Sequence, residues 1–187
     1  MRAHDSLHAT RLAGTAQAPA LPSHLSSVAA AWILSVGFDL LLHGGILASF
    51  YTMPSSFLLP AEEAFRRIPL GYLAFLVLTG SLAWLLRRLD IRGISPGFRF
   101  GAAGGAIVWG ALVIGLYSIT TATVPLLAGW LVGQTVELGL AGAVLGASAD
   151  GVSQKRIWTV VGIAVFICLA LTITLQSTGL APVTRAQ

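Results

Sequence analysis

The 187 residues are 56% hydrophobic and only 10% charged, with a formal net charge of +4 and a mean hydropathy of +0.83. Soluble domains carry about 25% charged residues, so a soluble globular protein is excluded. A β-barrel is excluded as well, because the apolar runs are long and lack strict alternation. The positive charge does not point to nucleic acid, since the eleven basic residues stand at the ends of apolar blocks, where topology signals belong.

Residues 1–27 are polar, bear Pro19 and Pro22 and hold no uninterrupted apolar core. They read as a mobile tail, not a signal peptide. Five apolar blocks follow, each about the 20 residues that a helix needs to cross a bilayer: Val28–Phe50, Ile68–Leu86, Phe98–Ser118, Val124–Ala147 and Ile157–Gln176. The first contains Asp39 and His43. Between the first and second, Pro60 precedes Glu62 and Glu63, with Arg66 and Arg67 beyond. Acids early and bases late suit a helix dipole, so this stretch predicts a short helix lying on the membrane face, a connector or a lid. The loop with Arg87, Arg88, Asp90 and Arg92 reads as a topology anchor. The third and fourth blocks are joined only by residues 119–123 and must form an antiparallel hairpin. Gly101 and Gly105, Gly129 and Gly133, and Gly142 and Gly146 stand four apart there, a spacing that lets helix backbones approach closely. The fifth block holds the single Cys168, a small apolar filler that rules out an internal disulfide. Residues 179–187 form a C-terminal tail, leaving 28–178 as one transmembrane domain.

Orientation follows from Lys and Arg. With the N-terminus inside, the inner side carries Arg2, Arg11, Arg87, Arg88, Arg92, Arg99, Lys155 and Arg156, and the outer side Arg66, Arg67 and Arg185. The predicted fold is therefore an all-α integral membrane bundle of five transmembrane helices, N-inside and C-outside. Trp32, Trp84 and Trp158 sort to inner helix ends and Tyr51, Tyr72 and Tyr117 to outer ends, as interfacial belts would. Ten of the eleven basic residues are Arg, and Ala, Gly and Leu abound. This composition suits a GC-rich bacterial gene and an inner-membrane location.

Function has to be argued from the ionisable residues within the spans. Asp39 and His43 are four apart and share a helix face, with Ser35 one turn before them. In the fourth block Glu137 lies near mid-span, with Gln134 and Trp130 on successive turns outward. The depths match, so Asp39, His43, Gln134 and Glu137 form one cluster if the first and fourth spans touch. A charge at mid-bilayer costs roughly 2.5–3.5 kcal/mol on insertion scales, so it ordinarily has a partner or a task.

Four readings of the cluster are open. It holds helices or a partner membrane subunit together, or it relays protons during movement of a small solute. As a third reading, it binds a divalent metal in an intramembrane enzyme. In the fourth, His43, followed by Gly44 and Gly45, ligates a tetrapyrrole in an accessory subunit of a larger complex. Hydrolase, zinc-protease and nucleotide-loop motifs are absent. The expectation is a non-enzymatic protein without a resident cofactor that self-associates or joins a partner in the lipid bilayer, serving proton-linked transport or assembly.

Overall fold

The computed structural model describes residues 21–53 and 55–182. Its elements are α1 (Leu21–Leu41), a π-helical turn (Leu42–Ile46), α2 (Ala48–Thr52), α3 (Ala61–Arg88), α4 (Ile94–Ile119), α5 (Val124–Ala149) and α6 (Gln154–Ser177). Among the described residues there is no strand. Five helical stretches, His24–Ile46, Glu62–Arg88, Ile94–Ile119, Val124–Ala149 and Gln154–Ser177, are long and apolar enough to cross a membrane. The chain is an all-helical, multispanning membrane protein.

Two boundaries differ from those read off the sequence. Residues 1–20 of the expected tail lie outside the described residues, but residues 21–27 are the opening turns of α1, and Ser27 is buried. The tail therefore ends earlier than position 28, because this polar stretch has hydrogen-bond partners at the end of α5 and in the first turns of α6. The amphipathic segment after Pro60 is not a separate surface helix. It continues without a break into the second span as one 28-residue helix, α3. The ion pairs Glu62–Arg66 and Glu63–Arg67 brace its first turns. Pro69 lies within α3 and removes a single donor there.

The centre of the bundle is α5. On one side it meets α4 backbone to backbone. A Cβ built on Gly97 or Gly101 would sit 2.2 Å from the carbonyl oxygen of Gly142 or Leu138, and one on Gly142 or Gly146 2.2 or 2.3 Å from those of Gly97 or Gly93. Only glycine permits that approach, which brings Cα–H groups against carbonyls across the seam. The Gly93 amide also donates to the Gly146 carbonyl at 2.9 Å, and Gly93 takes a φ of 89°, open to glycine alone. The glycine spacing therefore serves the hairpin itself. Gly129 and Gly133 are the exception: they face the first span, where the side chains of Leu47 and Leu42 fill the space a Cβ would need.

On its other side α5 packs against α1, which also contacts α3 and α6. Ala30 and Ala31, fully buried, let three helices close around α1. Ala31 joins Leu82, Ala83, Leu86, Ala141 and Leu145 in one apolar layer, and Ala30 joins Leu34, Ile157 and Val161 in another. Gly37 abuts Val165 of α6. Nearly all packing of α4 is against α5.

A buried polar cluster between the first and fourth spans

Asp39, His43, Gln134 and Glu137 come together in the contact of α1 with α5. Asp39 Oδ1 lies 3.1 Å from His43 Nε2, within one helix. Gln134 Nε2 reaches across the helix boundary to Asp39 Oδ1 at 3.4 Å and stands 3.4 Å from His43 Nε2. Gln134 and Glu137 are each 1% exposed, Ser35 2% and Asp39 9%.

Local backbone geometry adds a residue that the sequence reading put elsewhere. Tyr51 is not an interfacial belt residue; its hydroxyl contacts His43 Nδ1 at 2.5 Å and accepts from the Trp130 indole N–H at 2.6 Å. In an ideal helix, eight residues at about 100° each would leave Tyr51 ~80° away from the face of His43. The π turn Leu42–Ile46 holds about one residue more than an α turn and takes that rotation back. The Leu47 amide closes the turn on the Leu42 carbonyl at 2.7 Å, and Gln176 of α6 donates to the Gly44 carbonyl at 2.9 Å. The pair Gly44–Gly45 was the available signal. Two glycines within a span weaken an α-helix by about 1 kcal/mol each and mark an irregularity. Gly45 lies against Leu175 and the Thr172 backbone, so the glycine pair lets α6 approach.

The aromatic sorting fails at a second place. Trp32 and Tyr72, assigned to opposite ends, meet: the Trp32 indole donates to the Tyr72 carbonyl at 2.9 Å. Both sit away from the helix ends because α1 and α3 start earlier than their apolar blocks do. Tyr117 remains exposed.

The donors and acceptors fix an order along the cluster. An indole N–H only donates, so the Tyr51 oxygen accepts from Trp130, and its single O–H is left for His43 Nδ1. In a neutral imidazole so arranged, the ring proton sits on Nε2 and faces Asp39 Oδ1. In that tautomer the approach of Gln134 Nε2 to His43 is a contact between two donors, and the amide's bond goes to Asp39. The result is a directed chain, Trp130 to Tyr51 to His43 to Asp39, with Gln134 joining at the carboxylate. Glu137 stands next to its end. Ser35 and Gln134 act on it as weak hydrogen-bond donors, but neither carboxyl oxygen has a partner at full hydrogen-bond geometry, nor does Gln134 Oε1.

Both ring nitrogens of His43 face protein groups, so a tetrapyrrole iron would have to displace Tyr51 or Asp39 to gain a ligand. Among the described residues no three His, Cys, Asp or Glu side chains converge as a metal cage. The donor set fits hydrogen bonding better than coordination. The class that fold and site define is a five-span helical membrane protein with a hydrogen-bonded ionisable cluster at mid-span. No family model matches the chain, nor does any curated protein or solved structure.

Proposed function

We propose that the protein moves protons through this cluster, coupled to movement of a small solute, with Glu137 as the carboxyl that takes up and releases the proton. The observation that carries the reading is Glu137 itself. It is 1% exposed, and neither oxygen has a partner at full hydrogen-bond geometry, Ser35 and Gln134 being weak donors at most. Buried polar groups that only hold helices together are satisfied as a rule. An unsatisfied carboxyl at the end of a hydrogen-bonded chain suits a group that must change its protonation state. The Tyr51–His43–Asp39 chain can pass a proton by exchange at each member, because each both accepts and donates in one of its states.

The proposed setting is a bacterial-type inner membrane, N-inside. The end that carries Arg87, Arg88, Arg92, Arg99, Lys155 and Arg156 then faces inward, while Arg66 and Arg67, at the other end, are neutralised by Glu62 and Glu63. Cysteines placed at Ser56 and Ser95 in a Cys168→Ser background report this orientation. Labelling of Ser56→Cys from inside would reverse it.

The test is proton flux in proteoliposomes with entrapped pyranine, an imposed pH gradient and a potential clamped by valinomycin. Wild-type protein should dissipate the gradient faster than empty vesicles. Glu137→Gln and Asp39→Asn should return it to background with unchanged abundance in the membrane. Wild-type flux in both variants would refute the reading.

A second reading, assembly with a partner subunit or a second copy, has one observation in its favour: α4 packs almost entirely on α5 and leaves Ile107 and Ile114, seven residues apart, exposed. Native mass spectrometry from nanodiscs decides it. A bound second polypeptide supports assembly, and a bare single chain removes it.

A further inference from the structure

The cluster is one end of a longer polar seam. Along the first span Ser27, Ala31, Ser35, Asp39 and His43 follow one another at spacings of four, each about one turn from the next, and Ser27, Ala31, Asp39 and His43 each meet α5. On α5 the matching face carries Trp130, Gln134, Glu137, Ala141 and Ser148. Eighteen residues separate Trp130 from Ser148, about 27 Å of helix, close to the ~30 Å of a hydrocarbon core. At the far end Ser27 Oγ lies 2.6 Å from Ser148 Oγ, and Gln154 Nε2 donates to Ser27 Oγ at 2.8 Å and to Ser148 Oγ at 3.3 Å. Gln154 Oε1 is buried without a partner. Between the two polar regions lies the apolar layer of Ala31, Leu82, Leu86, Ala141 and Leu145. Ser35 and Ser27 are eight residues apart and Glu137 and Ser148 eleven, so the interruption spans two to three turns of helix, about 12–16 Å.

We propose that the Ser27–Ser148–Gln154 triad is a second proton-handling site, the opposite terminal of the route through Glu137, and that the Ala31–Ala141 layer is the barrier between them. The inference rests on the proton-moving reading above. It assigns to the triad and the layer roles that the cluster does not require.

Three arguments support it. The interruption is made where α1 and α5 meet by alanines, the smallest side chains with a Cβ, so a minor separation of the helices admits water. The large residues of the layer, Leu82, Leu86 and Leu145, exclude water when the helices are closed. The polar groups on the two sides share one interface, since Ser27 meets Ser148 and Asp39 meets Gln134 between the same two helices. A proton released by the Glu137 carboxyl crosses the layer on transient water. A hydroxyl of the triad accepts it and gives up its own proton on the far side, so each transfer conserves protons.

The experiment uses the same proteoliposomes and pyranine readout. The double variant Ala31→Ser/Ala141→Ser sets two hydroxyls in the barrier and should raise flux roughly five- to tenfold, because a hydrated proton then meets hydrogen-bonding groups where it had none. Ser27→Ala/Ser148→Ala, and separately Gln154→Leu, should lower flux several-fold. Elution of each variant at the wild-type position in size exclusion shows that it is folded. If Glu137→Gln abolishes flux while the serine additions, the Ser27/Ser148 pair and Gln154→Leu all leave it at the wild-type value, the inference is overturned and the proton-moving reading stands. If Glu137→Gln leaves flux unchanged, both fall together.

Discussion

Replacing Gly97 with alanine tests the α4–α5 seam directly. The new Cβ would lie 2.2 Å from the Gly142 carbonyl oxygen, 3.0 Å from its carbon and 3.1 Å from the Gly146 Cα. All three are backbone atoms, so no rotamer change relieves the contact, and the helices must separate by about 1 Å to restore van der Waals distance. That displacement also loosens Gly101 and Gly105, which meet α5 further along the same face. Overpacking a well-packed interior costs about 1–3 kcal/mol, occasionally more, and a clash against backbone belongs at the top, about 3 kcal/mol. For a domain of this size that lowers the melting temperature by roughly 6–12 °C. Gly104 and Gly115, on the same helix, have nothing within 4 Å of a built Cβ. Alanine there should leave the melting temperature at or slightly above wild type. The assay is thermal loss of the monodisperse size-exclusion peak in detergent. A Gly97→Ala protein that melts with wild type, or Gly104→Ala falling as far, would refute the direct-contact argument.

Other expectations follow from the cluster and its supports. Tyr51→Phe leaves His43 Nδ1 and Trp130 Nε1 without their partner and should cost about 2 kcal/mol. A double-mutant cycle with His43→Ala should return a coupling of about 0.5–3 kcal/mol, and additivity would contradict the bond. Gln176→Ala and Gln176→Glu should destabilise alike, by about 1–3 kcal/mol, because the Gly44 carbonyl needs a donor and a carboxylate supplies none. Retained stability in Gln176→Glu would show that the amide does not bond there. Glu137→Gln removes no well-formed hydrogen bond and takes away a desolvated ionisable group, so its melting temperature should equal or exceed that of wild type. A fall of several degrees would mean that Glu137 is structural. Arg66→Ala should change stability by less than about 0.5 kcal/mol, since both partners of its ion pair are well exposed.

The five spans and the glycine hairpin were legible because their signals are local: apolar length, the short connection at 119–123 and glycines at a spacing of four. The matching depths of Asp39, His43, Gln134 and Glu137 were equally visible, since rise per residue is fixed and each span has a countable centre. The partner across the interface was not, because nothing in a single helix records which neighbour it meets. Tyr51 was misplaced for a different reason. Its direction depends on the π turn, and the usual rotation per residue carries it away from His43. Gly129 and Gly133 show a similar limit. Their spacing announces a close approach, but only the fold reveals that leucines of the first span occupy it. At residues 61–67 the amphipathic pattern was real, and only its separation from the span was misread, since ion pairs on a helix surface do not tell whether that helix ends.

Synthesis order gives the Asp39–His43 pair another significance. Gln134 is made 95 positions after Asp39, and Gln176 follows Gly44 by 132. At ordinary elongation rates, the Asp39–His43 pair waits roughly 5–20 s for Gln134. During that interval the pair has only the polar groups that its own span carries. The contact of Asp39 with His43 lies within one helix, and Tyr51 is only eight positions on. A newborn first span can therefore shield its own ionisable groups at once, without waiting for the rest of the chain. Separating Asp39 from His43 by a single residue would leave a finished bundle that still has both groups, but a nascent helix with neither protected.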